Sequence, residues 1–144
     1  MPDTDSSIKT TFEINRVIGH IKGKRPGPTL VFFGGVHGNE PAGVFALEQV
    51  YEELSDSGNQ FFGELFAIAG NLNALKKTIR FEVEDLNRIW YPNRLNAIQK
   101  GVVQLSEDEA EMLELHKLIL QIIEVGEPPF YFFDLHTTSG RSEP

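Results

Sequence analysis

Residues 29–34, TLVFFG, form an apolar run that ends in two glycines, Gly34 and Gly35. A run of this kind, without polar alternation, reads as a strand buried on both faces, as at the centre of a parallel sheet. The chain then passes through VHGNEPAGV, a tight turn that gives way to helical spacing. Strand, glycine turn and helix in series are the opening of an α/β unit. Such a turn places polar side chains beyond the carboxyl end of the sheet, where open α/β folds bind their ligands.

The remaining pattern continues this theme. Residues 12–22, FEINRVIGHIK, are rich in β-favouring types and predict an edge strand or hairpin, and KGKRPGP predicts a turn. A helix is expected to start near Asn39–Pro41, with Asn39 as cap and Pro41 in its first turn. Val44, Leu47, Tyr51 and Leu54 form its apolar face, and SDSGNQ breaks it. FFGELFAIAG at 61–70 predicts the next strand, and LNALKK a short helical turn. Residues 78–97 lack periodicity and predict a long irregular loop, a feature that is often functional. Ser106 and Glu109 form a capping box for a helix that turns Met112, Leu115, Ile119, Ile122 and Ile123 inward. Gly126 and Pro128 stop it, and FYFFDL at 130–135 predicts another buried strand. The alternation predicts an α/β fold with a largely parallel sheet. The chain ends soon after that strand, whose face a further crossover would normally cover. The expectation is therefore the N-terminal part of a larger fold, and an uncovered strand also suggests a homo-oligomer.

At 144 residues the chain makes one domain. A domain of that size buries about 68–70% of its extended surface, enough for a real core. With no cysteine, disulfides and thiolate metal sites are excluded, so a metal must be held by histidine and carboxylate. No stretch is long and apolar enough for a membrane span, and the polar N-terminus lacks the apolar core of a secretory signal. These features suit a cytoplasmic protein. The net charge of −8 argues against nucleic acid and against anionic membranes. Yet five of the 13 basic side chains, Lys76, Lys77, Arg80, Arg88 and Arg94, fall within residues 76–94. Such a cluster is either a local anion site or a solvated face.

His37 follows the strand 29–34, and His136 follows the strand 130–135. If those strands are parallel and close, both imidazoles reach one crevice. Glu40 sits one turn after His37, at the mouth of the following helix. Two histidines and a carboxylate with an open fourth position are the usual catalytic zinc set. Taken alone, H-x-x-E is a weak signal, since Glu40 could simply favour the helix N-terminus. The glycines could also serve a phosphate loop, although the Lys-Ser/Thr of a P-loop is missing. Asp134 could hydrogen-bond behind a ligand or point elsewhere. His116 lies on an apolar helix stripe and reads as a packed residue, and His20 has no identifiable partner. Arg80, Asn87 and Arg88 lie on the irregular loop. Arginine is the preferred bidentate partner of a carboxylate and can stabilise a developing oxyanion. The alternative is that Arg80 and Arg88 pair with Glu82, Glu84 or Asp85.

Three blocks together, GGVHGNEPAG, ALKKTIRFEVEDLNR and DLHTTSG, resemble the succinylglutamate desuccinylase/aspartoacylase family of zinc-dependent deacylases, which is related to the zinc carboxypeptidases. They occur in family order and span residues 34–140. The resemblance implies a three-layer αβα fold with a mixed, mostly parallel, zinc carboxypeptidase-like sheet, apparently truncated at the C-terminus. It implies that His37, Glu40 and His136 hold one zinc ion, that Arg80 polarises the scissile carbonyl, and that Asn87 and Arg88 grip the substrate carboxylate. The partner it implies is a small N-acyl amino acid, with residues 1–144 as the N-terminal part of the catalytic zinc deacylase domain. The family's general-base glutamate lies well after the third ligand, whereas only eight residues follow His136 and Glu143 is too near the end to match it. The fragment alone is therefore expected to lack that base. A carboxypeptidase acting on peptides, or a non-catalytic ligand-binding fragment of the same fold, are the alternatives.

Overall fold

The computed structural model describes residues 13–57 and 60–137. Four strands form one sheet: β1 (Val17–Lys22), β2 (Arg25–Gly34), β3 (Phe62–Ala69) and β4 (Phe130–Leu135). Their order is β1-β3-β2-β4. β3 and β4 both run parallel to β2, while β1 is antiparallel to β3 and forms an edge. The sheet is thus mixed and mostly parallel. Among the described residues four helices accompany it: α1 (Ala42–Asp56), α2 (Leu72–Lys77), α3 (Pro92–Gln99) and α4 (Glu107–Val125), with a 3-10 turn at Leu86–Arg88.

The helices divide between the two faces. On one, Leu47 of α1 packs with Ile21, Leu65 and Ala67, joined by Phe32, Tyr51 and Leu54. On the other, Met112, Leu115 and Ile122 of α4 meet Val31, Phe66 and Ile68, together with Ile98 of α3 and Leu86 and Ile89. Successive residues of β2 and β3 serve opposite faces, as the two-residue period of a strand demands. The result is a three-layer αβα arrangement around a central β2.

α4 carries the expected capping box: the Ser106 hydroxyl accepts from the Glu109 amide, and the Glu109 carboxylate accepts from the Ser106 amide at 2.9 Å. Several expectations need correction. β2 starts at Arg25, so most of KGKRPGP is strand, not turn; a register shift between Arg25 and Thr29 accommodates its two prolines. The supposed loop 78–97 contains the 3-10 turn and most of α3, whose Pro92 takes the first helical position, where a missing N–H costs nothing. Asn39 does not cap α1: Pro41 occupies the N-cap, and no side chain bonds there. Ile123 is 45% exposed and does not face the core. β4 is not buried either. It lies at the sheet edge, and Tyr131, Phe132 and Phe133 are 49%, 44% and 42% exposed despite the stacking of Phe133 on Phe32 at 4.7 Å.

Two glycines shape the turn after β2. Gly35 has φ +70°, a left-handed conformation that side chains disfavour. Gly38 lies against α2, where a Cβ would come 2.1 Å from the Ala74 carbonyl carbon. Its amide donates to the Arg80 carbonyl at 3.2 Å, which joins this turn to the segment after α2.

Candidate metal centre

Register decides what meets at the carboxyl edge of the sheet. Gly34 pairs with Leu135 across β2 and β4, so His136 emerges beside the turn that carries His37 and Glu40. One ligand atom from each of His37, Glu40 and His136 lies within 4.8 Å of the others. The two imidazole rings stand 4.9 Å apart at centroid. His37 and Glu40 are buried, and His136 is more open.

Glu40 is the hub. Its Oε1 is 3.1 Å from His37 Nδ1, and its Oε2 is 3.1 Å from His136 Nδ1. Oε2 also accepts from the Thr137 amide at 2.9 Å. Burial would raise the Glu40 pKa, but the Thr137 amide and the two imidazoles outweigh it and hold the carboxyl below the usual range.

The outer nitrogens of both rings are also bonded. His37 Nε2 is 2.9 Å from Asp85 Oδ1, and His136 Nε2 is 2.6 Å from Asp134 Oδ2. A neutral imidazole donates from one nitrogen only. If Nε2–H is given to the outer carboxylate, each Nδ1 turns its lone pair towards Glu40, itself an acceptor. Facing lone pairs need a cation or a proton between them. Burial lowers the His136 pKa, yet Asp134 and then Glu40 outweigh that, and the imidazole is held above its ordinary value. Two nitrogens and a carboxylate oxygen, with both rings oriented by carboxylates, are donors of the kind that catalytic zinc takes. The residues present fit that ion.

The surrounding residues divide into those that converge and one that does not. Arg80 Nη1 is 3.6 Å from Glu40 Oε1, and its Nη2 is 3.4 Å from Asp85 Oδ2, so the pairing with Asp85 that the sequence left open is present. Arg80 remains 44% exposed, with its charge at the mouth of the cluster. Asn87 Nδ2 donates to Asp134 Oδ2 at 3.1 Å and lies 3.2 Å from His136 Nε2. Arg88 is exposed, and its guanidinium donates to the Asn87 carbonyl at 3.2 Å, away from the three ligand atoms. The other histidines lie elsewhere. His20 has a partner after all, Glu64 at 2.8 Å, and stacks on Phe66. His116 is half-buried on α4. Glu143 lies outside the described residues.

Asp85 is the residue that sequence reasoning missed. It accepts from the Asn87 amide at 2.9 Å, starting the 3-10 turn, and spends the same oxygen on His37. An aspartate just before Leu-Asn-Arg signals the cap, but its second partner lies 48 residues away in sequence. Next to the polar centre runs an apolar groove of about 440 Å³, lined by Phe33, Leu86, Trp90, Ile119 and Phe132, which shares Asn87 and Asp134 with it.

The molecule is thus a three-layer α/β domain with a His-Glu-His cluster at the carboxyl edge of its sheet. More narrowly, it belongs to the family described as the Succinylglutamate desuccinylase/Aspartoacylase catalytic domain, which its residues 26–143 match. It is 27% identical over 142 residues to a succinylglutamate desuccinylase of Photorhabdus laumondii, covering 94% of this chain and 40% of the relative. Over 112 residues it is 29% identical to that of Pseudomonas paraeruginosa, covering 77% of this chain and 31% of the relative. Among solved structures, the succinylglutamate desuccinylase of Vibrio cholerae superposes with a TM-score of 0.67 at 18% identity, covering 81% of this chain and 33% of the other. That of Chromobacterium violaceum gives 0.61 at 23% identity, covering 78% and 35%. The chain therefore spans about a third to two-fifths of the length of these relatives. Among the described residues, no helix is long and apolar enough to cross a membrane.

Proposed function

We propose that this chain carries the metal- and substrate-binding part of a zinc-dependent hydrolase that removes a short acyl group from the amino group of an N-acyl amino acid. The observation that supports it most is the convergence of His37, Glu40 and His136 within 4.8 Å, with Asp85 and Asp134 behind the two imidazoles. Those three residues would hold the ion. When bound, zinc polarises a carbonyl and lowers the pKa of a coordinated water to about 7.

The chain's own side chains supply the rest of this reading. Arg80 holds a positive charge beside Glu40, placed to stabilise negative charge that develops on an amide oxygen. Asn87 stands next to His136, and Arg88 follows it with an exposed guanidinium; together they would take the substrate's carboxylate, one by neutral and one by charged donors. Fixing that carboxylate sets the approach of the amide to the centre. Asp85 and Asp134 are each committed to an imidazole, so neither is placed to receive a proton from water. Likeness to proteins named succinylglutamate desuccinylase supports reading an acylated amino acid, rather than a peptide, as the substrate.

The test is a panel of N-succinyl and N-acetyl amino acids set against short peptides, with the purified full-length enzyme that carries this chain and with its zinc content measured. Zinc-dependent release of amino acid from the acylated compounds alone is expected. Peptide cleavage at equal efficiency, or full activity after metal removal, would overturn the reading.

A further inference from the structure

Asp108 is 0% exposed, although it occupies the first turn of α4, where acids usually face solvent. Its carboxylate has turned inward to a segment about 25 residues earlier. Oδ2 accepts from the Val83 amide at 2.7 Å and the Glu84 amide at 3.0 Å. Oδ1 accepts from the Glu82 amide at 3.1 Å and from Asn71 Nδ2 at 2.8 Å. Four donors thus converge on one buried carboxylate, enough to keep it ionised without a cation in contact.

The anchored segment leads straight into the centre. Asp85 follows Glu84 and bonds His37, and Asn87 follows at the end of Asp134. Val83 is largely exposed, so its side chain cannot hold the loop down. Asn71 is the N-cap of α2, the helix that lies against Gly38 and delivers Arg80. Arg94 supports the same segment from outside by bridging Glu84 and Glu109.

We infer that Asp108 is a positioning residue: it holds the backbone of residues 82–84 so that Asp85 meets His37 and Asn87 meets Asp134, without itself touching any candidate ligand. The inference rests on the proposed metal centre for its purpose, but the anchoring can be tested apart from it.

The experiment compares wild type, Asp108→Asn, Asp85→Asn and the double variant. Asn keeps the shape but turns an N–H donor towards amides that need an acceptor. In metal-free wild type, the Val83 amide should exchange with solvent as slowly as amides in the middle of α4. In Asp108→Asn, protection at 82–84 should be lost while that of α4 persists, and the His37 Nε2 ¹⁵N signal should move as its bond to Asp85 loosens. Zinc affinity, measured by competition with a chromogenic chelator, should fall about 10–100-fold, the scale for losing a residue that orients a ligand. In the Asp85→Asn background the same change should add little. Unchanged protection and an unchanged His37 Nε2 signal in Asp108→Asn would overturn the inference, as would a full additional loss of affinity in the double variant. If Asp108→Asn fails to fold, wild-type exchange decides: fast exchange at Val83 overturns it. If wild type binds no zinc, the functional reading fails, while exchange and the His37 Nε2 signal still test the anchoring.

Discussion

Asp85 Oδ1 lies 2.9 Å from His37 Nε2, and the same oxygen accepts the Asn87 amide. One carboxylate therefore sets the orientation of an imidazole at the candidate metal centre and starts the turn that presents Asn87 and Arg88. Asp85→Ala should leave the fold intact and weaken zinc binding by about 10–100-fold. Chelator competition checks this; wild-type affinity in the variant would show that the contact does not orient the ring.

His37→Ala removes a candidate ligand rather than its support. Stoichiometric zinc should be lost, as measured by elemental analysis of dialysed protein. Zinc retained at one ion per chain would remove His37 from the ligand set.

The two arginines should separate kinetically. Arg80→Ala should lower kcat by about 100-fold or more, the scale for losing a preorganised donor to an oxyanion. Arg88→Ala should act mainly on KM for substrates that bear a carboxylate, because it removes ground-state and transition-state binding alike. Steady-state kinetics of the full-length enzyme on an N-acyl amino acid and on its carboxyl amide distinguishes them. An Arg88 variant with unchanged KM would not belong to the carboxylate grip.

Asp108 makes stability depend on acid. Burial alone would raise its pKa, but the Glu84, Val83 and Glu82 amides and the Asn71 side chain outweigh burial and lower it from 3.8. A carboxyl lowered in the folded state contributes stability that is fully present above its unfolded value of about 3.9. That contribution is lost as pH falls through the folded value. The stability gap between wild type and Asp108→Asn in urea should therefore be constant above about pH 5 and narrow below about pH 4. A gap of equal size at both ends would contradict the assignment.

Met112 is fully buried between α4 and the sheet. Met112→Ala should destabilise by about 2–5 kcal/mol, since the cavity adds to the lost transfer energy. Urea denaturation measures it, and a cost below about 1 kcal/mol would indicate that the site collapses around the smaller residue.

What was legible in the sequence was local. The apolar run of β2, the capping box of α4 and the H-x-x-E spacing each depend on neighbours a few residues apart. The strand-end placement of His37 and His136 was also legible, because parallel pairing brings strand ends together. What stayed hidden had partners far along the chain. Asp108 looks like any acid in a first helical turn; only the path of residues 82–84 makes it a buried acceptor. Asp85 looks like a cap, and its bond to His37 appears only when the loop folds back. Pro26 and Pro28 concealed the start of β2, and residues 92–97 lack the periodicity that would mark α3, which Pro92 opens. FYFFDL is as apolar as a central strand, yet composition cannot say on which side a sheet stops pairing.

The contact between Gly38 and Ala74 sets a limit on how this centre can vary. Position 38 admits a hydrogen atom and nothing larger unless helix and turn part company. The two-residue spacer between His37 and Glu40 is therefore a fitted component. A methyl group there would act at a distance, spreading the three candidate ligand atoms without altering any of them.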